Sequence, residues 1–269
     1  MISAIFQTMR PKHWTKNLFV LAPLLFSQHL FELSNILYAV AGFFLFSFIS
    51  SSIYLLNDAI DAESDKLHPV KKHRPIAAGV LPKSIAYISS IVLAGVTLGT
   101  AFITKTEFGY VLAGYFSLNV LYTLYLKKAV IVDVMTIAIS FLLRIIAGAV
   151  IIAVPISEWL LICGSLLALF LGFSKRRHEI SVMDEEASKH RPVLNEYNIG
   201  FLDQMISLVT ASTLISYMLY TVDEDTVARF GSKYLIATVP FVLYGLFRYL
   251  YVLHLHELGG SPTRALLTD

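Results

Sequence analysis

Residues 33–65 read LSNILYAVAGFFLFSFISSSIYLLNDAIDAESD. The first 25 of these, Leu33 to Asn57, contain no Asp, Glu, Lys or Arg. About 20 mostly apolar residues suffice to cross a bilayer as a helix. The run is continuous rather than alternating, which predicts a helix and not a strand of a membrane barrel. At its end the character changes abruptly, to Asp58, Asp61 and Asp65. Working outward, uncharged stretches recur at Asn17–Phe31, Ser84–Thr104, Phe108–Leu126, Trp159–Ser174, Gln204–Val222 and Tyr234–Phe247. A further one, from about residue 131 to 154, is interrupted only by Asp133 and Arg144. The expectation is an all-α polytopic membrane helix bundle of eight spans, forming one domain over residues 1–269.

Composition agrees. Of 269 residues, 56% are hydrophobic and 15% charged, against about 25% charged in a soluble domain; the mean hydropathy is +0.68. Such a chain cannot clothe itself as a cytosolic enzyme, nor is it disordered. Its single cysteine, Cys163, excludes an internal disulfide and a cysteine-based zinc site. Arg10, Lys12 and Lys16 precede a helix containing Pro23, with no clear small-residue cleavage site, so no cleavable signal peptide is expected.

Lys and Arg set the orientation. With the N-terminus inside, inner segments hold Arg10, Lys12, Lys16, Lys66, Lys71, Lys72, Arg74, Lys83, Lys127, Lys128, Lys175, Arg176, Arg177, Lys189, Arg191 and Arg264, sixteen in all, and outer segments hold three, Lys105, Arg229 and Lys233. An inner-membrane protein with a cytoplasmic N-terminus is expected. Two inner loops, roughly 58–83 and 175–201, are long and crowded with ionisable groups. Function is expected there.

Asp58, Asp61 and Asp65 stand at i, i+3 and i+7, so on one continuous helix they share a face, with Asn57 on the same side. Three carboxylates on one stripe repel, and hard oxygen donors suit Mg²⁺ shared with substrate phosphates; Mn²⁺ uses the same ligands. The stripe is followed by Lys66, His68, Lys71, Lys72 and Arg74. Acid stripe then basic loop suits a metal–diphosphate site. The competing reading is a solvated helix end, which the 25-residue apolar run leading into the stripe disfavours.

The second loop opens on Lys175, Arg176, Arg177, His178 and Glu179, and continues to Arg191 and Tyr197. Lys175 and Glu179 form an i,i+4 pair. This cluster is the more basic and reads as a binder of anionic groups, with a topology anchor as the alternative. Asp133 and Arg144, eleven residues apart, face one way on one helix. An arginine at that depth faces the bundle interior or a wet cavity, as ligand contact or as a structural charge. Lys12 and Lys16, beside Trp14, either anchor the chain or hold a lipid phosphate; Lys127 has the same two readings. No HExxH, P-loop or dinucleotide fingerprint is present, and no nucleic-acid partner is expected.

Asn57, Asp58, Asp61 and Asp65 match the NDxxDxxxD signature of the UbiA superfamily of membrane prenyltransferases, which the chain resembles. The resemblance is closer to the decaprenyl-phosphate phosphoribosyltransferase-like branch. It is carried by Met9–Asn17 with Ala22-Pro23-Leu24, Asp65–Pro69, Arg74–Gly79, Tyr122 with Lys127 and Asp133, Phe141–Arg144 with Ala147-Gly148, Lys175-Arg176 with Glu179, and Ser261–Asp269. It implies a nine-span bundle with a central cavity open to the cytoplasmic side and to lipid, in a membrane enzyme whose substrates are a polyprenyl phosphate and phosphoribosyl diphosphate. Asn57, Asp58, Asp61 and Asp65 would hold Mg²⁺ on the diphosphate. Lys66, His68, Lys71 and Arg74 would neutralise the leaving group. Lys175, Arg176 and Arg191 would hold the ribose 5-phosphate, with Glu179 orienting ribose hydroxyls or a second metal. Lys12, Lys16 and Lys127 would meet the lipid phosphate, while Tyr122, Asp133, Arg144 and Tyr197 complete the substrate-binding set. The usual second Asp-rich motif is missing. Prenyl transfer to an aromatic or other small acceptor, and transport of a phosphorylated lipid, are the alternatives.

Overall fold

The computed structural model describes residues 1–26, 31–67, 70–181 and 192–255. All regular elements among them are helical: α1 (Ile2–Met9), a 3₁₀ run (Pro11–Leu21) leading into α2 (Ala22–Phe26), α3 (Leu33–Ile60), α4 (Ala62–Leu67), α5 (Lys83–Thr104), α6 (Thr106–Leu124), α7 (Val132–Ile151), α8 (Glu158–Ser181), α9 (Ile199–Val222), α10 (Glu224–Phe230) and α11 (Val239–Leu255), with further short 3₁₀ turns. Six helical stretches among the described residues are long and apolar enough to cross a membrane: Leu33–Ile60, Lys83–Thr104, Val132–Ile151, Glu158–Ser181, Ile199–Val222 and Tyr234–His254. The chain is a multi-pass membrane protein. The other two expected spans fall short of that standard. Of residues 17–31, the described 17–26 are divided between the 3₁₀ run and α2. Residues 108–126 do form most of α6, but Thr106, Glu107, Asn119 and Thr123 dilute its apolar character.

The chain divides into two compact units. Met1–Lys127 with Ser140–Ile156 form the first; Lys128–Ile139 with the chain from Ser157 onward form the second. In the first, α3 is the central element. Its 28 residues extend about 42 Å at 1.5 Å each, beyond a hydrocarbon core of about 30 Å, so its last turns carry Asn57 and Asp58 out of the apolar zone. Phe46, Ile49, Phe108, Leu112, Tyr115, Ala147 and Val20 make the larger core, and Ala4, Leu55, Ala59, Ala62, Ile76, Leu81 and Ala86 a smaller one beside the aspartates.

Polar groups inside a membrane bundle need internal partners, and α3 supplies its own. Ser50 and Ser51 hydroxyls donate to the Ser47 carbonyl at 3.0 and 2.8 Å, and Ser52 to that of Ile49 at 2.7 Å. The Asn17 amide donates to Ser47 and Ser50 Oγ, and the Trp14 indole to Ser51 Oγ. The 3₁₀ run is thereby pinned to α3. It also lies against α7, where a Cβ on Gly148 would stand 1.9 Å from the Val20 carbonyl oxygen. Lys105, between α5 and α6, donates its ammonium to the Val150 carbonyl at 2.7 Å, in the last turn of α7.

The second unit packs Val134, Phe170, Phe173, Val193, Leu194, Tyr197, Leu202, Ile206, Leu246 and Leu253 together. Gly172 of α8 comes so near Val134 that a Cβ would sit 2.7 Å from its Cγ1.

Candidate functional site

The acidic stripe does not lie on one continuous helix. Asp61 adopts φ −85°, ψ 3°, and its N–H closes α3 on the Asn57 carbonyl at 2.9 Å. The chain then restarts as α4, which carries Asp65. The joint sets the three carboxylates in separate surroundings. Asp58 accepts from Arg10 Nη2 at 2.6 and 2.9 Å and from Arg74 Nη1 at 3.0 Å. Asp65 accepts from the same Arg74 Nη1 at 2.6 Å, with Lys71 at 4.0 Å. Asp61 pairs with Lys127 at 2.7 Å. Asp58 and Asp65 are only 2% and 3% exposed. Burial pushes the Asp65 carboxyl above its usual range, against the pull of Arg74 and Lys71.

Arg10 was not among the residues expected at the site. It occupies a left-handed turn (φ 54°) between α1 and the 3₁₀ run, and stacks over Tyr54 at 4.9 Å. Its signal in the sequence was the Arg10-Pro11 step ahead of the first apolar stretch, which reads equally as a topology anchor.

The donor set suits a divalent cation, since every expected ligand is a hard oxygen. The arrangement is consistent with one as well, because Asp58 and Asp65 converge on a single point of positive charge, Arg74 Nη1. Among the described residues no three His, Cys, Asp or Glu side chains yet close around one position, since Asp61 turns to Lys127.

The remaining expected residues of the first unit lie nearby or elsewhere. Lys66 faces Glu63 at 2.9 Å, and Lys83 meets the same carboxylate at 2.6 Å; those two hydrogen bonds, Lys83 foremost, draw the Glu63 carboxyl down to about 2. This surface trio is separate from the aspartates. Lys12 and Lys16 lie exposed on the 3₁₀ run, and Tyr122 is half-buried near the end of α6. Arg144 is buried: Nε donates to Asn17 Oδ1 at 2.9 Å, Nη1 to the Ser140 carbonyl at 2.5 Å and Nη2 to the Tyr115 hydroxyl at 3.0 Å. Phe46, Tyr115 and Phe141 surround its guanidinium. These contacts satisfy it as a structural charge. His68 and Arg191 lie outside the described residues, as does the Ser261–Asp269 motif.

In the second unit, Asp133, Arg176, Glu179 and Tyr197 form one network. Arg176 Nε donates to Asp133 Oδ2 at 2.7 Å and Nη1 to Glu179 Oε2 at 2.6 Å. The Tyr197 hydroxyl donates to Asp133 Oδ1 at 2.7 Å and accepts the Ile131 N–H at 2.6 Å. Burial first, then the bond to Asp133, raises the phenol. Asp133 and Arg176 are 0% and 1% exposed, so Arg176 holds Glu179 in place rather than reaching outward. Lys175 is the more open cation, 4.0 Å from Glu179. Arg177 pairs instead with Asp203.

Ile131 is β-branched yet has φ 68°, a conformation that costs about 1–3 kcal/mol unless the surroundings enforce it. The Tyr197 hydroxyl is the clamp. Tyr197→Phe leaves the buried Asp133 Oδ1 and the Ile131 N–H short of a partner and is expected to cost about 1–3 kcal/mol. Thermal unfolding in detergent checks this; a midpoint equal to the parent's would refute the clamp.

Residues 18–265 match the UbiA prenyltransferase family. The chain belongs to that family. A UbiA relative from Corynebacterium glutamicum, the decaprenyl-phosphate phosphoribosyltransferase, is 32% identical over 98% of this chain and 80% of its own length. Its namesake from Mycolicibacterium smegmatis is 30% identical over 100% of this chain and 87% of its own. A UbiA homolog from Archaeoglobus fulgidus bound to GPP and Mg²⁺ superposes with a TM-score of 0.75 at 16% identity, covering 98% of this chain and 93% of that one. That likeness establishes the UbiA fold.

Proposed function

We propose that the chain transfers a 5-phosphoribosyl group from phosphoribosyl diphosphate to a polyprenyl phosphate and releases diphosphate, in the cell membrane, with N-terminus and active site facing the cytoplasm. The observation that carries this reading is the set of carboxylates Asp58, Asp61 and Asp65 at the end of a spanning helix, each matched by a cation from Arg10, Arg74 or Lys127. The two phosphoribosyltransferases, alike over nearly the whole chain, support the substrate pair. The excess of inner-loop Lys and Arg supports the orientation.

A lipid phosphate is ionised at neutral pH, so no general base is required. One of its oxygens forms a bond to the anomeric carbon as the bond from that carbon to the diphosphate breaks, and diphosphate leaves with the electron pair. Mg²⁺ or Mn²⁺, held by Asp58, Asp61 and Asp65 with Asn57, would supply charge stabilisation for the departing diphosphate. Arg10, Lys71 and Arg74 surround the same carboxylates and are the cations placed to receive its remaining charge. Lys127, with Lys12 and Lys16, is the group offered to the lipid phosphate. Catalysis then rests on positioning and charge.

The test is incubation of the purified protein with labelled phosphoribosyl diphosphate and decaprenyl phosphate. The expected result is lipid-linked label and metal-dependent diphosphate release. Diphosphate release only from a polyprenyl diphosphate with an aromatic acceptor would replace the reading with prenyl transfer. Movement of lipid across vesicles without diphosphate release would replace it with transport.

A further inference from the structure

We propose that Arg74 and a divalent cation compete for Asp58 and Asp65, so that metal loading and diphosphate binding are coupled through the displacement of one guanidinium. The proposal rests on the reading of these aspartates as metal ligands. Its basis is a shared atom: Arg74 Nη1 lies 3.0 Å from Asp58 Oδ1 and 2.6 Å from Asp65 Oδ2, at the point where the two carboxylates converge. An ion bound at the 2.0–2.1 Å typical of Mg²⁺–oxygen contacts needs that point and those lone pairs. Both cannot be there.

Charge makes the same argument. The three carboxylates of Asp58, Asp61 and Asp65 are answered by four cations, Arg10, Arg74, Lys127 and, at 4.0 Å, Lys71. Asp58 and Asp65 are almost fully removed from solvent, so adding a divalent ion to this already neutralised set leaves excess positive charge where screening is weak. Two events relieve it, departure of a cation or arrival of an anion. A diphosphate does both, since it neutralises the ion and offers the freed guanidinium a bidentate partner.

The local backbone confines this exchange to the side chain. The Arg74 carbonyl accepts the Ala78 N–H at 2.8 Å, and the Pro75 carbonyl accepts those of Val80 and Leu81 at 2.9 and 3.0 Å, so the loop carrying Arg74 is fastened. Its side chain is 25% exposed against 2% for that of Asp58, which gives the guanidinium a way out that the carboxylate lacks. Arg10 touches Asp58 but makes no bond to Asp65, so it does not occupy the convergence point.

The experiment measures Mn²⁺ binding to the purified full chain by electron paramagnetic resonance with no phosphate present, and binding of labelled inorganic pyrophosphate by equilibrium dialysis with and without Mn²⁺. Arg74→Gln is expected to bind Mn²⁺ alone about tenfold more tightly than the parent, and Arg74→Lys, which keeps the charge without the fork and guards against a misfolded glutamine variant, to be intermediate. The parent's pyrophosphate binding should rise about tenfold with Mn²⁺, and that of Arg74→Gln by about twofold, as expected for a coupling of this kind. If neither Arg74 variant binds Mn²⁺ more tightly, while Asp61→Ala binds it more weakly, competition is overturned and the metal assignment survives. If Asp58→Asn and Asp61→Ala both leave Mn²⁺ binding unchanged, the metal assignment falls and competition falls with it.

Discussion

Alanine at Asp61 is expected to lower turnover by about 10²–10³-fold, the usual loss when a preorganised charge at the reacting centre is removed, while the protein stays folded. Asp61 is the cleanest of the three aspartates for this test. Asp58 is held by two guanidiniums and Asp65 by one, and both carboxylates are buried in the first unit, so replacing either removes a buried, hydrogen-bonded charge and mixes stability with activity. The Asp61 side chain is 26% exposed and its partner Lys127 25% exposed, and a pair this open to solvent contributes about 0–1 kcal/mol. Diphosphate release and thermal unfolding on the same preparation separate the effects. Full turnover in Asp61→Ala would remove this residue from the site. Lys127→Met, run alongside, shows whether the liberated ammonium contributes to the loss.

Gly148→Ala is expected to be the most damaging single methyl in the first unit. The added Cβ would lie 1.9 Å from the Val20 carbonyl oxygen, 2.8 Å from its carbon and 3.1 Å from Pro23 Cδ. Two of these are backbone atoms of a segment already tied to α3 through Asn17 and Trp14, so no side chain can rotate aside. Overpacking costs about 1–3 kcal/mol where neighbours can shift; here the upper end or beyond is expected. Gly99→Ala is the control. Nothing lies within 4 Å of the Cβ it would add in α5, and the higher helix propensity of alanine should raise stability by up to about 1 kcal/mol. Equal unfolding midpoints for the two variants would refute the close packing of the 3₁₀ run on α7.

Helices dominated by one long apolar run were legible. Residues 33–57 fall wholly within α3, and the aspartates do follow its exit. The joint at Asp61 was not legible, because i, i+3, i+7 spacing assumes that the helix continues through it. Asp133, Arg176, Glu179 and Tyr197 were each singled out, but Tyr197 meets Asp133 across 64 residues, and periodicity carries no information about such a pairing. The cost of an arginine at that depth makes the inward facing of Arg144 legible; its partners Asn17 and Tyr115 come from two other elements. Arg10 is not legible as a site residue, because a cation before an apolar stretch has a sufficient explanation in topology alone. The 3₁₀ run is not legible for a related reason: residues 17–31 have span-like composition, and nothing in it marks the change from the 3₁₀ run to α2 at Ala22.

Lys105 bears on that same use of loop cations. A census treats every lysine in a connection as a statement about which side of the bilayer it occupies. The ammonium of Lys105, however, sits on the Val150 carbonyl in the last turn of α7, which also accepts the Ala153 N–H at 3.1 Å, at the end of a helix where the dipole favours a positive group. It is a second donor to a carbonyl at a helix end. Discounted on that ground, the minority side keeps only Arg229 and Lys233, and the asymmetry from which the orientation is proposed is sharper than a bare count makes it.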